Sequence, residues 1–123
     1  MTGEELVARA ETAAAASYSP YSKYRVGASV LTTDGRVFDG VNVENAAYPL
    51  GICAEKTALG AAATAGVRPG DIAAIGITAS PCGGCRQWLS EWRVGRIWFR
   101  RADGTIAEYA ADDLLPDGWD LPA

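Results

Sequence analysis

Two short stretches hold every cysteine in the chain: Cys53-Ala54-Glu55 and, further along, Pro81-Cys82-Gly83-Gly84-Cys85. Three thiolates and a carboxylate in that pattern suit a catalytic zinc site. A tetrahedral catalytic zinc takes three protein ligands and leaves its fourth position to water. Cys53, Cys82 and Cys85 are therefore the expected ligands of one Zn²⁺ per subunit. Glu55, two residues from Cys53, would reach that water without ligating the metal. Hydrolysis needs a base to take a proton from water and later an acid for the departing group; one carboxylate can serve as both in turn. Three inert buried thiols would be the plainer reading of free cysteine, but it leaves the Glu and Pro spacing without a purpose.

The chain has no histidine. Ser-His and Cys-His nucleophile systems are excluded, and any zinc must rest on thiolates or carboxylates. A thioredoxin-like redox role for Cys82-Gly83-Gly84-Cys85 is the main rival use of a Cys-x-x-Cys, and it would leave Cys53 and Glu55 unused. A structural zinc takes four protein ligands, one more than the cysteines supply. The count favours an open position. A Cys-x-Glu followed by Pro-Cys-x-x-Cys is also the arrangement of zinc-dependent nucleobase deaminases.

Both motifs fall where a helix is expected to begin. A helix N-terminus carries free N–H groups and partial positive charge, which stabilises thiolates and lowers their pKa. Three thiolates on Zn²⁺ still sum to a net negative charge. Lys56 and Arg86, each directly after a ligand motif, are candidates to offset it.

The elements that must position these groups follow from the pattern. Thr2-Gly3-Glu4-Glu5 reads as a capping box opening a helix to about Ala16. Val26–Thr32 and Arg36–Val41 read as strands joined at Thr33-Asp34-Gly35. A loop from Asn42 to Ile52 follows, then a helix from Cys53 to about Ala65, stopped by Gly66 and Pro69. The apolar run Ile72–Thr78 suits a central strand. Pro81-Cys82 opens another helix to about Trp92. Arg96–Arg100 and Thr105–Tyr109 pair across a two-residue Asp103-Gly104 turn, and Asp112–Leu115 makes one helical turn. The expected fold is α/β, a mixed sheet flanked by helices.

At 123 residues the chain is expected to form one domain, residues 1–123, with a single core. No apolar run approaches the roughly 20 residues that span a bilayer, and no membrane partner is expected. The N-terminus lacks a basic region followed by an apolar stretch, and an odd number of cysteines fits a reducing cytoplasm. Net charge is −4. The only arginine concentration is Arg93, Arg96, Arg100 and Arg101, which reads as solvated strand and loop charge. A nucleic-acid partner would want a broad basic surface; a small-molecule substrate fits better.

Taken together, the motifs resemble the small zinc-dependent cytidine deaminases, from Tyr18 to about Pro116. Ser19-Pro20-Tyr21-Ser22-Lys23-Tyr24-Arg25-Val26-Gly27-Ala28 is similar to the family's opening motif, and Asn42-Val43-Glu44-Asn45-Ala46-Ala47-Tyr48 to its next. Cys53–Ala58 and Pro81–Gln87 complete the set in order. The resemblance implies a three-layer α/β/α fold on a five-stranded mixed sheet whose last two strands are antiparallel. It implies deamination of cytidine and 2′-deoxycytidine to the uridine products plus ammonia, as in pyrimidine salvage, with zinc hydroxide attacking C4 and Glu55 shuttling protons. By the same resemblance Asn42 and Glu44 bind the ribose hydroxyls, Tyr24 packs on the nucleoside, and Ala54 with Glu55 reads the pyrimidine edge. The family's three-cysteine members are homotetramers with sites completed across subunits, which would put Tyr48 and the C-terminal segment at interfaces.

There are two departures from the family pattern. Thr78-Ala79-Ser80-Pro81 is shorter than the usual loop, and Leu114-Leu115-Pro116-Asp117-Gly118-Trp119 replaces an ending that supplies a pocket phenylalanine. Trp119, one residue later, is expected to stand in for that ring. The ending is similar to blasticidin S deaminase, so deamination of a modified cytosine nucleoside is the alternative; a non-catalytic zinc-stabilised nucleoside-binding domain is a third reading.

Overall fold

A computed structural model describes residues 1–122 of the chain. Its helices and strands run α1 (Gly3–Ala13), β1 (Gly27–Thr32), β2 (Val37–Val41), α2 (Ala54–Thr64), β3 (Ile72–Ile77), α3 (Gly83–Glu91), β4 (Arg96–Arg100), β5 (Ile106–Tyr109) and α4 (Ala111–Leu114). The strands form one five-stranded sheet in the order β2-β1-β3-β4-β5. β3 and β4 are parallel, and every other neighbouring pair is antiparallel. This is the expected mixed sheet with its last two strands antiparallel.

Period-2 alternation assigns the two faces of that sheet. On β1 and β3, Ala28, Val30, Ile75 and Ile77 are fully buried in one core with Ala58, Leu59 and Ala62 of α2 and Leu89 of α3. The intervening Gly76 faces α1: a Cβ added there would lie 2.6 Å from the Leu6 carbonyl carbon. Leu6, Val7 and Ala10 of α1 are buried on that side. The sheet is thus covered on both faces, giving three layers.

The helix starts follow local chemistry. Glu5 N–H donates to Thr2 Oγ1 at 3.1 Å and Thr2 N–H to Glu5 Oε1 at 3.3 Å, the reciprocal box expected from the sequence. Cys53 and Cys82 occupy the N-cap positions of α2 and α3. α3 therefore begins one residue after Cys82, with Pro81 outside it.

The β4–β5 connection differs from the two-residue turn expected at Asp103-Gly104. Arg101 N–H donates to Thr105 O at 2.7 Å and Gly104 N–H to Arg101 O at 2.9 Å. The loop is three residues, Ala102 to Gly104, with Gly104 at φ 90°. A turn followed by a left-handed residue matches strand twist as a two-residue turn of ordinary hand would not. The β1–β2 loop is built alike: Thr32 N–H to Arg36 O at 2.8 Å, Gly35 N–H to Thr32 O at 3.1 Å, and Gly35 at φ 91°.

Candidate active site

Parallel pairing of β3 with β4 brings the carboxyl ends of both strands to one edge, where open α/β sheets place their ligand crevice. A cavity of about 490 Å³ lies there. Thr78, Ala79 and Ser80 line it from the end of β3, and Arg100, Arg101 and Ala102 from the end of β4. The start of α2 supplies Cys53, Ala54 and Glu55, the start of α3 supplies Cys82, and Tyr24, Val26 and Asn42 complete the wall. The volume is in the ordinary range for small-molecule sites.

Close approach of α2 to β2 sets the first motif. A Cβ on Gly40 would sit 2.3 Å from Ala58 N, so only glycine allows this distance. Thr57 Oγ1 donates to Val41 O at 2.6 Å and pins the first turn of α2 to the same strand. With the helix so placed, Cys53 Sγ lies 3.9 Å from Cys82 Sγ, and the sulfurs of Cys53, Cys82 and Cys85 lie within 4.8 Å of one another. Tetrahedral zinc with Zn–S bonds near 2.3 Å needs sulfurs about 3.8 Å apart. The three thiols are unpaired by any disulfide, and their spacing fits the metal. Cys53 and Cys82 face the cavity while Cys85 is buried, so an open coordination position would look onto the cavity.

Glu55 is only 4% exposed. Burial, the largest influence, pushes its carboxyl pKa up, against weaker opposition from its own N–H, the Cys85 thiol and Lys56. Burial likewise pushes the Cys53 and Cys85 thiols up, reinforced by the neighbouring thiol and Glu55 charges. Cys82 is also opposed by burial, but the N–H groups of Cys85 and Gly84 and the two other thiols bring it down. Helix-end stabilisation thus prevails at one thiol only. At the other two, burial and neighbouring negative charge outweigh it until a cation is present.

The remaining residues singled out in the sequence divide by position. Lys56 Nζ reaches the α3 start, 3.8 Å from where a Gly84 Cβ would stand. Arg86 is engaged elsewhere: Nε donates to Pro81 O at 2.9 Å, with further bonds to Ser80 Oγ and Leu114 O. It ties the loop before α3 to α4. Asn42 Nδ2 donates to Tyr24 O at 2.8 Å, and its Oδ1 accepts from Val26 N–H at 2.9 Å and from the Ser17 hydroxyl. Glu44 stands outside the cavity wall and accepts from Tyr21 N–H, Ser22 N–H and the Ser22 hydroxyl. Tyr48 is 69% exposed, its ring edge-on to Tyr21 with centroids 6.0 Å apart.

Trp119 does not line this cavity. It is 70% exposed beside α3, where Gln87 Nε2 donates to its carbonyl at 3.0 Å. Any substrate contact by its ring would have to be in a neighbouring copy.

Sequence reasoning missed Arg100, Arg101 and the two serines, Ser17 and Ser22. Arg100 and Arg101 had read as solvated charge, yet a strand–helix–strand order with parallel strands already implies that residues just after β4 face the crevice. Arg100 is partly spent on Glu11 at 3.0 Å.

Comparison with known proteins agrees with this geometry. Residues 1–101 match the family described as cytidine and deoxycytidylate deaminase zinc-binding region. The chain is 39% identical over 124 residues to the cytidine deaminase of Sporosarcina psychrophila, covering 94% of this chain and 90% of that one. It is 40% identical over 116 residues to the cytidine deaminase of Mycobacterium tuberculosis, covering 91% and 85%. The crystal structure of cytidine deaminase from Burkholderia pseudomallei superposes with a TM-score of 0.90 at 42% identity, covering 97% of this chain and all of that one.

Proposed function

Because the chain belongs to the zinc-binding cytidine and deoxycytidylate deaminase family, we propose that it hydrolyses cytidine and 2′-deoxycytidine to uridine and 2′-deoxyuridine, releasing ammonia. The observation that carries this is the buried Glu55 carboxyl on the same cavity wall as Cys53 and Cys82. Cys53, Cys82 and Cys85 hold zinc, which when bound supplies Lewis-acid activation of water.

The chain's own groups do the rest. Glu55 takes a proton from the attacking water and carries it to the pyrimidine ring nitrogen. It then takes the remaining proton of the new C4 hydroxyl and delivers it to the departing amine, so that the C4–N bond breaks as the C4 carbonyl forms. Its raised proton affinity, caused by burial, suits a group that must hold the proton between these transfers. Ala54, at the first position of α2, presents backbone to the pyrimidine edge. Tyr24 gives an aromatic face on which a planar base can stack, worth about 1–3 kcal/mol. Asn42 and Glu44 meet the ribose. Asn42 has one amide hydrogen left after bonding Tyr24 O, so it donates to a hydroxyl, whereas Glu44 accepts. Lys56 offsets thiolate charge near Cys82.

The active form is a homotetramer in the cytoplasm, serving pyrimidine salvage. What supports the assembly is an exposed apolar face beside the site: Tyr18, Tyr21, Tyr48, Leu50 and Ile52 are each at least 45% exposed. Such a patch marks an interaction surface. Tyr48, on this face, and Trp119, outside its own cavity, would then reach neighbouring subunits. Three unpaired thiols fit a reducing compartment. Among the described residues no helix is long and apolar enough to cross a membrane.

The reading is tested by ammonia release from cytidine, 2′-deoxycytidine and blasticidin S with zinc-loaded protein. Release from the first two supports it. Release from blasticidin S alone would shift the substrate to modified cytosine nucleosides. Light scattering tests the assembly; a monomer would overturn the tetramer.

A further inference from the structure

We propose that Ser22 is a positioning residue for this reaction: its hydroxyl ties the Glu44 carboxylate to the Tyr24 backbone and so sets where the Tyr24 ring stands at the cavity. The kinetic part of this inference rests on the deaminase reading; the structural part does not.

Tyr24 lines the cavity, yet it is 60% exposed, so little side-chain packing within the chain holds its ring. Its place must come from its backbone. The segment before it is a surface turn in which four successive N–H groups, from Tyr21 to Tyr24, each find an acceptor within the protein. Glu44 Oε1 takes two of them, Tyr21 N–H at 3.0 Å and Ser22 N–H at 3.1 Å. Ser19 O takes Lys23 N–H at 3.0 Å. Ser22 Oγ takes the last, Tyr24 N–H, also at 3.0 Å.

A serine hydroxyl has one proton and two lone pairs. Here the proton goes to Glu44 Oε2, which leaves the lone pairs free to accept from Tyr24. The carboxylate therefore fixes the orientation of the hydroxyl, and the hydroxyl fixes Tyr24 N–H. Between them, Lys23 has φ 61°, a left-handed conformation disfavoured for a residue with a Cβ. That residue turns the chain back toward the cavity, and it stays so because the bonds on either side hold it. On the other flank, Asn42 Nδ2 holds Tyr24 O at 2.8 Å. Tyr24 is thus gripped at N–H by Ser22 and at C=O by Asn42. Ser22 itself does not line the cavity, so it acts on substrate only through Tyr24.

The test compares zinc-loaded wild type, Ser22→Ala and Ser22→Thr, using cytidine kinetics and amide hydrogen exchange read by NMR. Ser22→Ala should raise KM about tenfold with kcat within about twofold, the pattern of lost binding geometry. Its Tyr24 N–H should exchange about tenfold faster while amides of the sheet are unchanged. Ser22→Thr keeps the hydroxyl and should restore both. Unchanged KM in Ser22→Ala, equal damage in Ser22→Thr, or unchanged Tyr24 exchange would each overturn the assignment. A wild type inactive on cytidine would instead overturn the deaminase reading, and Tyr24 exchange alone would then decide the role of Ser22.

Discussion

Cys53 Sγ and Cys82 Sγ meet at 3.9 Å across the starts of two helices, although 29 residues separate them in the chain. Each is the N-cap of its helix, so both sulfurs are fixed by backbone that the sheet positions. Metal affinity should therefore be coupled to global stability. Chelating the metal should lower the thermal midpoint by on the order of 10 °C. Cys85→Ser, which puts a weaker ligand at the buried position, should leave the purified protein nearly metal-free by elemental analysis. Calorimetry with and without chelator checks the coupling; coincident midpoints would deny it.

Glu55 should give the metal-free protein a pH dependence of definite sign. Burial raises its folded pKa above the ordinary 4.5, so between those values the folded state binds more protons than the unfolded state. Its contribution to stability is best below about pH 4.5, and it falls as pH rises through the folded value. Glu55→Gln removes that penalty. Urea titrations of metal-free protein should find Glu55→Gln more stable than wild type at pH 7, with the gap closing toward pH 4.5.

Gly40→Ala should destabilise the protein by about 1–3 kcal/mol, the usual cost of overpacking. A Cβ 2.3 Å from Ala58 N and 2.5 Å from Ala54 O meets backbone, which cannot swing aside as a side chain can. The helix that carries Cys53 and Glu55 would have to move, so zinc affinity should fall with stability. A control at Gly35 would not separate space from conformation, since its φ is 91°. Gly60→Ala is better: nothing lies within 4 Å of its added Cβ, and stability should hold or rise slightly.

Asn42→Asp should raise KM and lower stability by roughly 1–3 kcal/mol. The substitution keeps acceptors for Val26 N–H and Ser17 but turns the donor facing Tyr24 O into a second acceptor. Steady-state kinetics with thermal melts check both. A change in kcat alone would place Asn42 differently.

The metal site was almost wholly legible in the sequence, because Cys53, Glu55, Cys82 and Cys85 owe their meeting to helix starts that local signals mark. Strand and helix bounds were also close, since Thr2 with Glu5, Gly66 and Pro69 punctuate the chain. What was hidden depends on tertiary geometry. Arg86 looked like a charge beside a thiolate, but its donors reach Pro81, Ser80 and Leu114. Arg101 looked solvated because nothing local reports that β4 ends at the cavity. The Asp103-Gly104 dipeptide was correctly a turn, yet its length turned on whether Arg101 or Ala102 opened it. Ser22 carried no signal beyond its motif, because its role lies in one proton pointing at Glu44.

The most direct measurement is the ultraviolet conversion of cytidine to uridine by zinc-loaded wild type and Glu55→Gln, with zinc content measured on both. The expected result is turnover by wild type and a loss of about 10²–10⁴-fold in Glu55→Gln with zinc fully retained. Turnover by Glu55→Gln at the wild-type rate, or none by a zinc-replete wild type, would contradict the proton-shuttle assignment or the deaminase reading respectively.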